Sequence, residues 1–533
     1  MGCLGARRHD VRWGHIFSAT IGLALWPLTA QAACLPINSV ELSGVTLFSP
    51  AESRGWVTPY EGRCLGLEDF DAILEQITLA YVDAGYVLSR AYLPEQNLAD
   101  GSLDIDVVEG HLAAVTVNGR DDEASRRWMR QIFPGQIGQP VHIRRIEQGL
   151  DQIRTMPRWQ ASFEFDPGAT PGDSVMKVSA ETAKPIEFRF SANNNGSADS
   201  GDWILGMSGD VTNQLGLNET LSFGVTHSAT LRPPQLGNGN GDYSRSANVD
   251  ISIPYGRFTF DAGWSGSAYH LTIPGAQSDI PTDGDTSSFS FGTKYLLSRD
   301  QGSKTYLSMD LDRAANRNRV MGVQVDSSSR VLTSLRATLS HERTIWDGPF
   351  SGSLFVEHGL KLLGAEDAAA QAAGQPDAQY LLAGFSASYS HGIDVSTGQL
   401  TWTSTMNGQV STDRLYGSQQ FSIGGASTVR GTRIALASGS SGVFWRNGLE
   451  YRFDAALPEF LGTPSVYAGL DLGKVFAQSA VGATGGSAVG SVFGVKLNSG
   501  ALSFDASWQQ VLAVSSGLQK PGGLAALSLE VTF

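Results

Sequence analysis

Alternation of apolar and polar residues dominates the chain from residue 185 to its end. Successive side chains of a β-strand point to opposite faces, so this pattern predicts strands with one apolar and one polar face. In the stretch 304–313 the apolar face carries Leu307, Met309 and Leu311, and the polar face carries Tyr306, Ser308, Asp310 and Asp312. Aromatic residues recur near the strand ends and charges recur on the polar face, which is typical of a transmembrane β-barrel.

The length of this region sets the size of the predicted barrel. At about 22 residues per strand and turn, roughly 349 residues give about 16 antiparallel strands, consistent with tilted spans of 9–11 residues. The closing stretch 527–533 alternates and ends in the aromatic Phe533, which we interpret as the terminal signal of an outer-membrane barrel. The stretches 236–241 and 364–377 are expected to be extracellular loops. After residue 32 no run approaches 18 uninterrupted apolar residues, so membrane-spanning helices are not expected.

The first 32 residues have the form of a secretory signal peptide. Arg7, Arg8 and Arg12 form a positive region, residues 16–28 are uncharged and apolar, and residues 30–32 fit a small-residue cleavage site. Its removal takes the formal net charge from −14 to −16, because three arginines and Asp10 leave with it. Such an acidic chain is a poor nucleic-acid binder, since neutralising phosphates requires clustered lysine and arginine.

Between the signal peptide and the barrel, helical periodicity appears twice. Within residues 33–112 the order is strand, helix, helix, strand, strand, at residues 37–44, 50–60, 70–81, 86–93 and 103–109. The same order returns within residues 113–183, at residues 115–118, 123–132, 143–153, 159–165 and 174–180. The sequence therefore predicts two tandem α+β modules, followed by the barrel at residues 184–533.

Two cysteines, Cys34 and Cys64, remain after the signal peptide. Two cysteines in one small exported module favour a disulfide, which would stabilise a loop of about 30 residues by roughly 3–4 kcal/mol on the chain-entropy model. The alternative is that Cys34 is a lipidated N-terminus. Residues 31–33 lack the apolar residue expected of a lipidation signal, which weighs against that alternative.

A glycine-flanked loop between two predicted strands carries Val429, Arg430 and Gly431. In the strand 466–473 the apolar residues share one face, so Asp471 on the other face points inward if the apolar face meets lipid. An interior carboxylate needs a cationic partner or water, and Arg430 is the candidate partner. Glu450, on the inward face one strand earlier, is the competing carboxylate for that arginine.

No constellation of residues indicates an enzyme or a metal site. Asp310 and Asp312 lie two apart on a strand, which places them on its polar face and does not indicate an acid–base pair. The sequence has no HExxH spacing and no GxSxG elbow, and glycines 237–241 lack the helix that follows a phosphate-binding loop. We therefore expect no catalysis, no metal and no cofactor.

Short motifs along essentially the whole chain after the signal peptide resemble those of two-partner secretion transporters, the ShlB/FhaC/HecB family. Those in the two modules lie at residues 62–66, 85–87, 91–96, 108–110, 147–151 and 167–168. Those in the barrel lie at residues 213–218, 253–256, 424–431, 446–447 and 469–473. Each motif is weak alone, and their joint order carries the resemblance.

The resemblance implies a specific function. Residues 33–112 and 113–183 would be periplasmic POTRA domains, the first of the ShlB type, which capture an unfolded exoprotein by adding its strands to an open sheet edge. The exoprotein would then pass outward through the barrel without ATP. The hairpin that carries Arg430 would fold back into the lumen and pair with Asp471, forming a lumenal lock. Opening of this lock would gate passage.

Partners follow from the same resemblance. The chain would work with a large secreted haemolysin- or adhesin-like exoprotein, with outer-membrane lipid and lipopolysaccharide, and with periplasmic chaperones and the barrel assembly machinery, in the outer membrane of a Gram-negative bacterium. An alternative function is assembly or insertion of other outer-membrane proteins. A passive porin would not need two periplasmic binding modules.

Two departures from the family pattern stand out. The family usually has an aromatic residue after the Arg-Gly pair, whereas this chain has Thr432, so the apolar anchor of the loop is in question. Many members begin with a plug helix and a linker before the first POTRA domain. Here strand character starts within a few residues of the expected cleavage point, so no such plug is expected.

Overall fold

The computed structural model describes residues 34–182, 184–231, 234–300, 302–370, 374–454, 457–458, 462–476 and 484–533. The predicted signal peptide, residues 1–32, lies outside the described residues, as does any element that precedes residue 34. The described chain divides into a smaller compact unit, residues 34–80 and 90–108, and a larger one, residues 81–89 and 109–533.

The first α+β module contains two small sheets and two helices. Its elements are β1 (Leu35–Ile37), β2 (Ser39–Ser43), α1 (Pro50–Val57), β3 (Arg63–Leu65), α2 (Leu67–Asp83), β4 (Arg90–Tyr92) and β5 (Ser102–Val108). β1 pairs with β3, and the other sheet has the order β2-β5-β4. The predicted strand at 86–93 is shorter, because residues 86–89 form a turn in which the Ser89 N–H donates to the Tyr86 carbonyl.

The two cysteines lie at the edge of this module. A disulfide joins Cys34 to Cys64, with their Cα atoms 5.3 Å apart. The pairing of β1 with β3 sets Pro36 opposite Cys64, which brings the preceding Cys34 within reach of the same sulfur. The structure thus contains the first of the two arrangements that the sequence left open.

The second α+β module repeats the order with longer strands. Its elements are β6 (His111–Val117), α3 (Glu123–Ile132), α4 (Ile143–Thr155), β7 (Trp159–Pro167) and β8 (Asp173–Thr182). The sheet has the order β6-β8-β7, with β6 parallel and β7 antiparallel to β8. The apolar faces of both helices pack on it, burying among others Met129, Ile132, Ile146, Leu150, Ile153 and Met176.

The rest of the described chain forms a closed antiparallel barrel, in which β9 pairs with β28. Its first strands are β9 (Ile186–Asn193), β10 (Trp203–Thr212), β11 (Thr220–Leu231), β12 (Pro234–Leu236), β13 (Tyr243–Tyr255), β14 (Phe258–Ile273), β15 (Ile280–Arg299), β16 (Ser303–Val320), β17 (Val323–Gln324), β18 (Arg330–Ile345) and β19 (Gly348–Leu360). The remainder are β20 (Leu381–Val395), β21 (Gly398–Val410), β24 (Ser441–Phe453), β25 (Thr463–Phe476), β26 (Gly486–Asn498), β27 (Leu502–Val514) and β28 (Leu524–Thr532). Between β21 and β24, β22 (Phe421–Ile423) and β23 (Ala437–Gly439) form a separate two-stranded sheet.

Within the described residues, β12 and β17 are short extensions of hairpins, so sixteen strands span the barrel wall. The predicted alternation holds on its outer face, where large apolar side chains are exposed, among them Phe289, Phe291, Leu307, Met309, Phe493 and Trp508. An exposed apolar band of this kind is stable only against lipid. None of the described helices is long and apolar enough to cross a membrane.

The second module is bonded to the turns at one end of the barrel, here called the module end. Trp128 donates its indole N–H to Asn218 at 3.1 Å, and Trp159 donates to Thr212 at 2.8 Å. Asp151 of α4 forms ion pairs with Arg299 and Lys304 of the barrel. The sequence pattern did not predict this attachment, because the bonds join residues far apart in the chain.

Candidate lumenal loop site

The segment 411–440 leaves the barrel at the end opposite the module end and turns back into the lumen. β22 and β23 form its stem, pairing Phe421 with Gly439 and Ile423 with Ala437. Thr428 closes the turn at the tip, where its hydroxyl accepts from the Gly424 N–H at 2.8 Å and donates to the Gly424 carbonyl at 2.9 Å. This turn presents Arg430 to the inner wall.

Arg430 and Asp471 meet through three hydrogen bonds. The Arg430 Nε–H donates to Oδ2 of Asp471 at 2.7 Å, and Nη2–H donates to Oδ1 at 2.6 Å. The Arg430 backbone N–H also donates to Oδ2, at 3.0 Å. Asp471 has no exposed side-chain surface and Arg430 only 13%. The pair is therefore almost fully shielded from water.

A second arginine, Arg446, completes the contact and was missed as a site residue in the sequence. Its Nε lies 3.8 Å from Oδ1 of Asp471, the residue directly opposite it on β25. Its Nη1–H donates to the carbonyls of Ala426 and Ser427 in the loop, at 3.1 and 2.7 Å. The loop arginine thus binds the wall carboxylate, while the wall arginine binds the loop backbone. The sequence pattern that could have identified Arg446 is that it, like Asp471, lies on the inward face of its strand.

Glycines form a shallow depression in the wall where the loop rests. A Cβ on Gly473 would lie 2.7 Å from a methyl of Val429, and one on Gly469 would lie 2.5 Å from Nη2 of Arg430. A Cβ on Gly490 would lie 2.2 Å from the Arg430 carbonyl oxygen. Gly431, on the loop side, has φ of +114° and approaches the β27 backbone as closely. The glycines around Asp471 therefore give the loop backbone room to reach the carboxylate.

An apolar cluster anchors the loop beside the charges. Its fully or nearly fully buried members are Ile423, Val429, Ala437, Val475 and Ala488, with Phe421 and Leu436 packed against them. Thr432, which stands where the family usually has an aromatic residue, is also buried and bonds to the backbone of Ile434 at 3.2 Å. Val429 and the hairpin stem therefore supply the apolar anchor that Thr432 cannot.

Glu450 forms a separate network. Lys496 donates to its Oε2 at 2.6 Å and Ser465 donates to its Oε1 at 2.8 Å. Arg430 instead bonds Asp471, so the structure does not bring the competing carboxylate into the contact. Lys496 also lies over the ring of Tyr467, whose hydroxyl donates to Asp505 at 2.8 Å.

Phe533 ends the barrel at its seam, where β28 returns to β9. Its N–H donates to the Phe188 carbonyl at 2.9 Å, and its ring packs edge-on against Phe190 with the centroids 5.8 Å apart. In the described part of the chain no cluster of three or more His, Cys, Asp or Glu residues is arranged to hold a metal ion.

The family model for the haemolysin secretion/activation protein ShlB/FhaC/HecB matches residues 172–497. The chain belongs to this family. A ShlB-type POTRA domain model matches residues 35–110, and a further POTRA domain model matches residues 111–167. The two α+β modules are therefore the POTRA domains, and the module end of the barrel is the periplasmic end.

Relatives match over most of their length. The outer membrane transporter CdiB of Escherichia coli is 30% identical over 481 residues, covering 89% of this chain and 78% of the relative. The hemolysin transporter protein ShlB of Serratia marcescens is 28% identical over 455 residues, covering 85% and 77%. The solved structure of CdiB from Escherichia coli superposes with a TM-score of 0.84 at 28% identity, covering 95% of this chain and 92% of that one.

These matches confirm the predicted fold class, family and outer-membrane location. The chain is a two-partner secretion transporter of the outer membrane, with N-terminal periplasmic POTRA domains and a 16-stranded barrel. The roles of Arg430, Asp471, Cys34, Cys64 and Phe533 in transport stay predictions.

The close approach at Gly490 generates a first prediction. Gly490→Val would force the Arg430 carbonyl away from the wall, costing about 1–3 kcal/mol of overpacking and displacing the loop. We expect the purified barrel to show a higher conductance than wild type in planar lipid bilayers.

Gly448→Ala is the matched control, because a Cβ at Gly448 meets only the Thr403 hydroxyl, at 2.9 Å, and no part of the loop. It should conduct like wild type. Equal conductance of Gly490→Val and wild type would show that the loop does not depend on this contact.

Proposed function

We propose that this transporter captures an unfolded secreted exoprotein through its POTRA domains and passes it outward through the barrel, with the docked loop 411–440 as a fixed part of the export path. The observation that supports this most is the reciprocal contact of Arg430, Asp471 and Arg446 inside the lumen. A barrel that only formed a pore would not need a buried ion pair to hold a loop within it.

The second POTRA domain offers one open sheet edge for capture. On β6 the outer edge is already occupied, because Leu112 bonds through its N–H and carbonyl to residues 138–139, at 3.0 and 2.7 Å. Among the described strands none pairs with the outer edge of β7. The backbone N–H and carbonyl of Ala180, which stands opposite Ala161, bond to Asn118 and so point away from β7. Ala161 is therefore in a non-hydrogen-bonded pair, and its own backbone groups point to the outer edge of β7. The same holds for every second residue, Phe163 and Phe165 included.

The edge of β7 suits an extended partner. Arg154 donates hydrogen bonds to the Ala161 carbonyl. The outward backbone groups of Phe163 and Phe165 can instead pair with an incoming strand. Backbone pairing gives affinity with little demand on sequence, which fits a partner that arrives unfolded. We infer that an exoprotein strand adds to the Phe163–Phe165 side of β7.

The lumen provides two different walls. The loop occupies the wall formed by β24–β27, where it meets Gly469, Gly473 and Gly490. On β16, away from the loop, Asp310 faces inward beside Gly292, and Leu307 and Met309 face outward. We infer that the polar wall guides the passenger while the docked loop narrows the lumen. In this proposal the loop stays docked during export, and the opening of the lock that the resemblance implied is the alternative hypothesis.

Removing either charge of the lock should stop export without preventing barrel assembly. Asp471→Ala leaves Arg430 and Arg446 facing each other without a counter-charge, whereas Arg430→Ala leaves Asp471 with Arg446 nearby. Breaking a buried pair costs about 3–5 kcal/mol, so we expect secretion to fall at least tenfold in both, and further in Asp471→Ala. The measurement is the amount of cognate exoprotein in the medium per folded barrel.

Glu450→Gln is the control for this prediction, because it also neutralises a lumenal carboxylate but one bonded to Lys496 and not to the loop. The double variant Arg430→Ala/Asp471→Ala should secrete no less than Asp471→Ala alone, since the two changes remove one interaction. Normal secretion by both single variants would refute the lock. Normal secretion of every exoprotein without this barrel, with loss of other outer-membrane proteins, would favour assembly activity instead.

The capture edge is testable by photo-crosslinking. A photoreactive residue at Ser162, exposed on β7, should crosslink to the exoprotein during export in living cells. The same residue at Ala113, exposed on β6 of the same sheet, is the matched control and should crosslink weakly. Stronger crosslinking from Ala113 would place capture on the other edge, and none from either would exclude this sheet.

A further inference from the structure

An apolar hollow of about 670 Å³ lies on the outer wall of the barrel, across β9 to β15. Its walls are outward-facing apolar side chains of the membrane band, including Phe190, Met207, Val225 and Trp264. This surface faces lipid and has no part in the lumenal lock. The hollow is therefore a feature that export alone does not explain.

Small residues create the hollow. Ala247, Gly266 and Ser287 stand directly opposite one another on β13, β14 and β15. The Trp264 indole turns over Gly266, where an added Cβ would lie 2.9 Å from the ring, and donates its N–H to Ser287 at 3.1 Å. The Trp264 ring and the small residues thus form a defined concave surface.

The rim of the hollow farthest from the module end lies where the barrel leaves the outer leaflet of the membrane. Arg245 and Tyr255 are ten residue steps apart on β13, which is about 33 Å along the strand and about 25 Å across a membrane when the strand is tilted. Aromatic rings line the rim, where Tyr243 stacks on His270 with the centroids 6.2 Å apart. Such rings mark the membrane–water interface of barrels.

Two outward-facing arginines at this rim carry no ion pair among the described residues. Arg245, Ala268, Asp285 and Arg317 form one row across β13 to β16, so the two arginines stand about 14 Å apart at three strand spacings. The only carboxylate of that row, Asp285, is bonded instead to Arg319 at 2.9 Å. Arg245 packs over the ring of Tyr243, 5.2 Å from its centroid.

We propose that this surface binds a phosphorylated, multiply acylated lipid of the outer leaflet, the lipid A part of lipopolysaccharide. An acyl chain would fill the hollow over Gly266, and headgroup phosphates would accept hydrogen bonds from Arg245 and Arg317. Arginine suits phosphate because its planar guanidinium donates two parallel hydrogen bonds. Arg245 lines the end of the hollow farthest from the module end, which matches the order of headgroup and chain in the outer leaflet.

The test is native mass spectrometry of the purified full-length transporter titrated with lipid A, with phosphate-free lipid A of the same acylation, and with phosphatidylglycerol. Wild type should bind lipid A more tightly than either other lipid. Arg245→Glu, which reverses the rim charge, should weaken lipid A binding by at least about fivefold. Ala247→Leu and Gly266→Leu, which fill the hollow, should also weaken it.

Lys474→Glu is the matched control. Lys474 is an exposed cation near the outer end of β25, packed 5.2 Å from the ring centroid of Phe476, and it does not line the hollow. It should bind lipid A within about twofold of wild type, since only general surface charge changes. Equal losses in Lys474→Glu and Arg245→Glu would overturn the proposal, as would equal binding of phosphate-free lipid A or of phosphatidylglycerol.

Discussion

The bidentate contact between Arg430 and Asp471 is the interaction on which the lumenal architecture depends. A carboxylate with no exposed surface in a barrel wall is stable only when a positive charge compensates it. Arg430, at the tip of the inserted loop, supplies that charge. Arg446 then holds the loop backbone in return. The loop is therefore held by two reciprocal contacts, one from a loop side chain to the wall and one from a wall side chain to the loop backbone.

The glycines near Asp471 are explained by the docked loop. In an isolated strand each would weaken the sheet, since glycine packs nothing and loses more entropy on ordering. In the wall they let Val429 and the Arg430 backbone approach closely enough for the charge contact. The apolar cluster around Ile423 packs the hairpin stem and Val429 against the same wall. Charge, shape and apolar packing therefore support a single loop position.

Much of this fold was predictable because it rests on local periodicity. Alternation placed Asp471 inside the barrel and Leu307 and Met309 outside, and helical spacing placed the longer helix of each module. The sequence could not predict Arg446 as a loop ligand, because its bonds go to backbone carbonyls that carry no sequence signal. Nor could it assign Glu450 to Lys496, since register between non-adjacent strands decides that pairing.

The most direct test asks whether the ion pair acts by positioning the loop. A Cβ on Gly473 would lie 3.1 Å from that of Ile423, near the separation of about 3.5–4.5 Å that a disulfide needs. Ile423→Cys/Gly473→Cys would therefore tether the loop to the wall in an Arg430→Ala background. The same two cysteines in the presence of Arg430 are the control and must secrete normally, because a Cβ on Gly473 would also lie 2.7 Å from a methyl of Val429. If the pair positions the loop, the tether restores exoprotein secretion. Secretion that stays lost with the tether formed would contradict a positioning role.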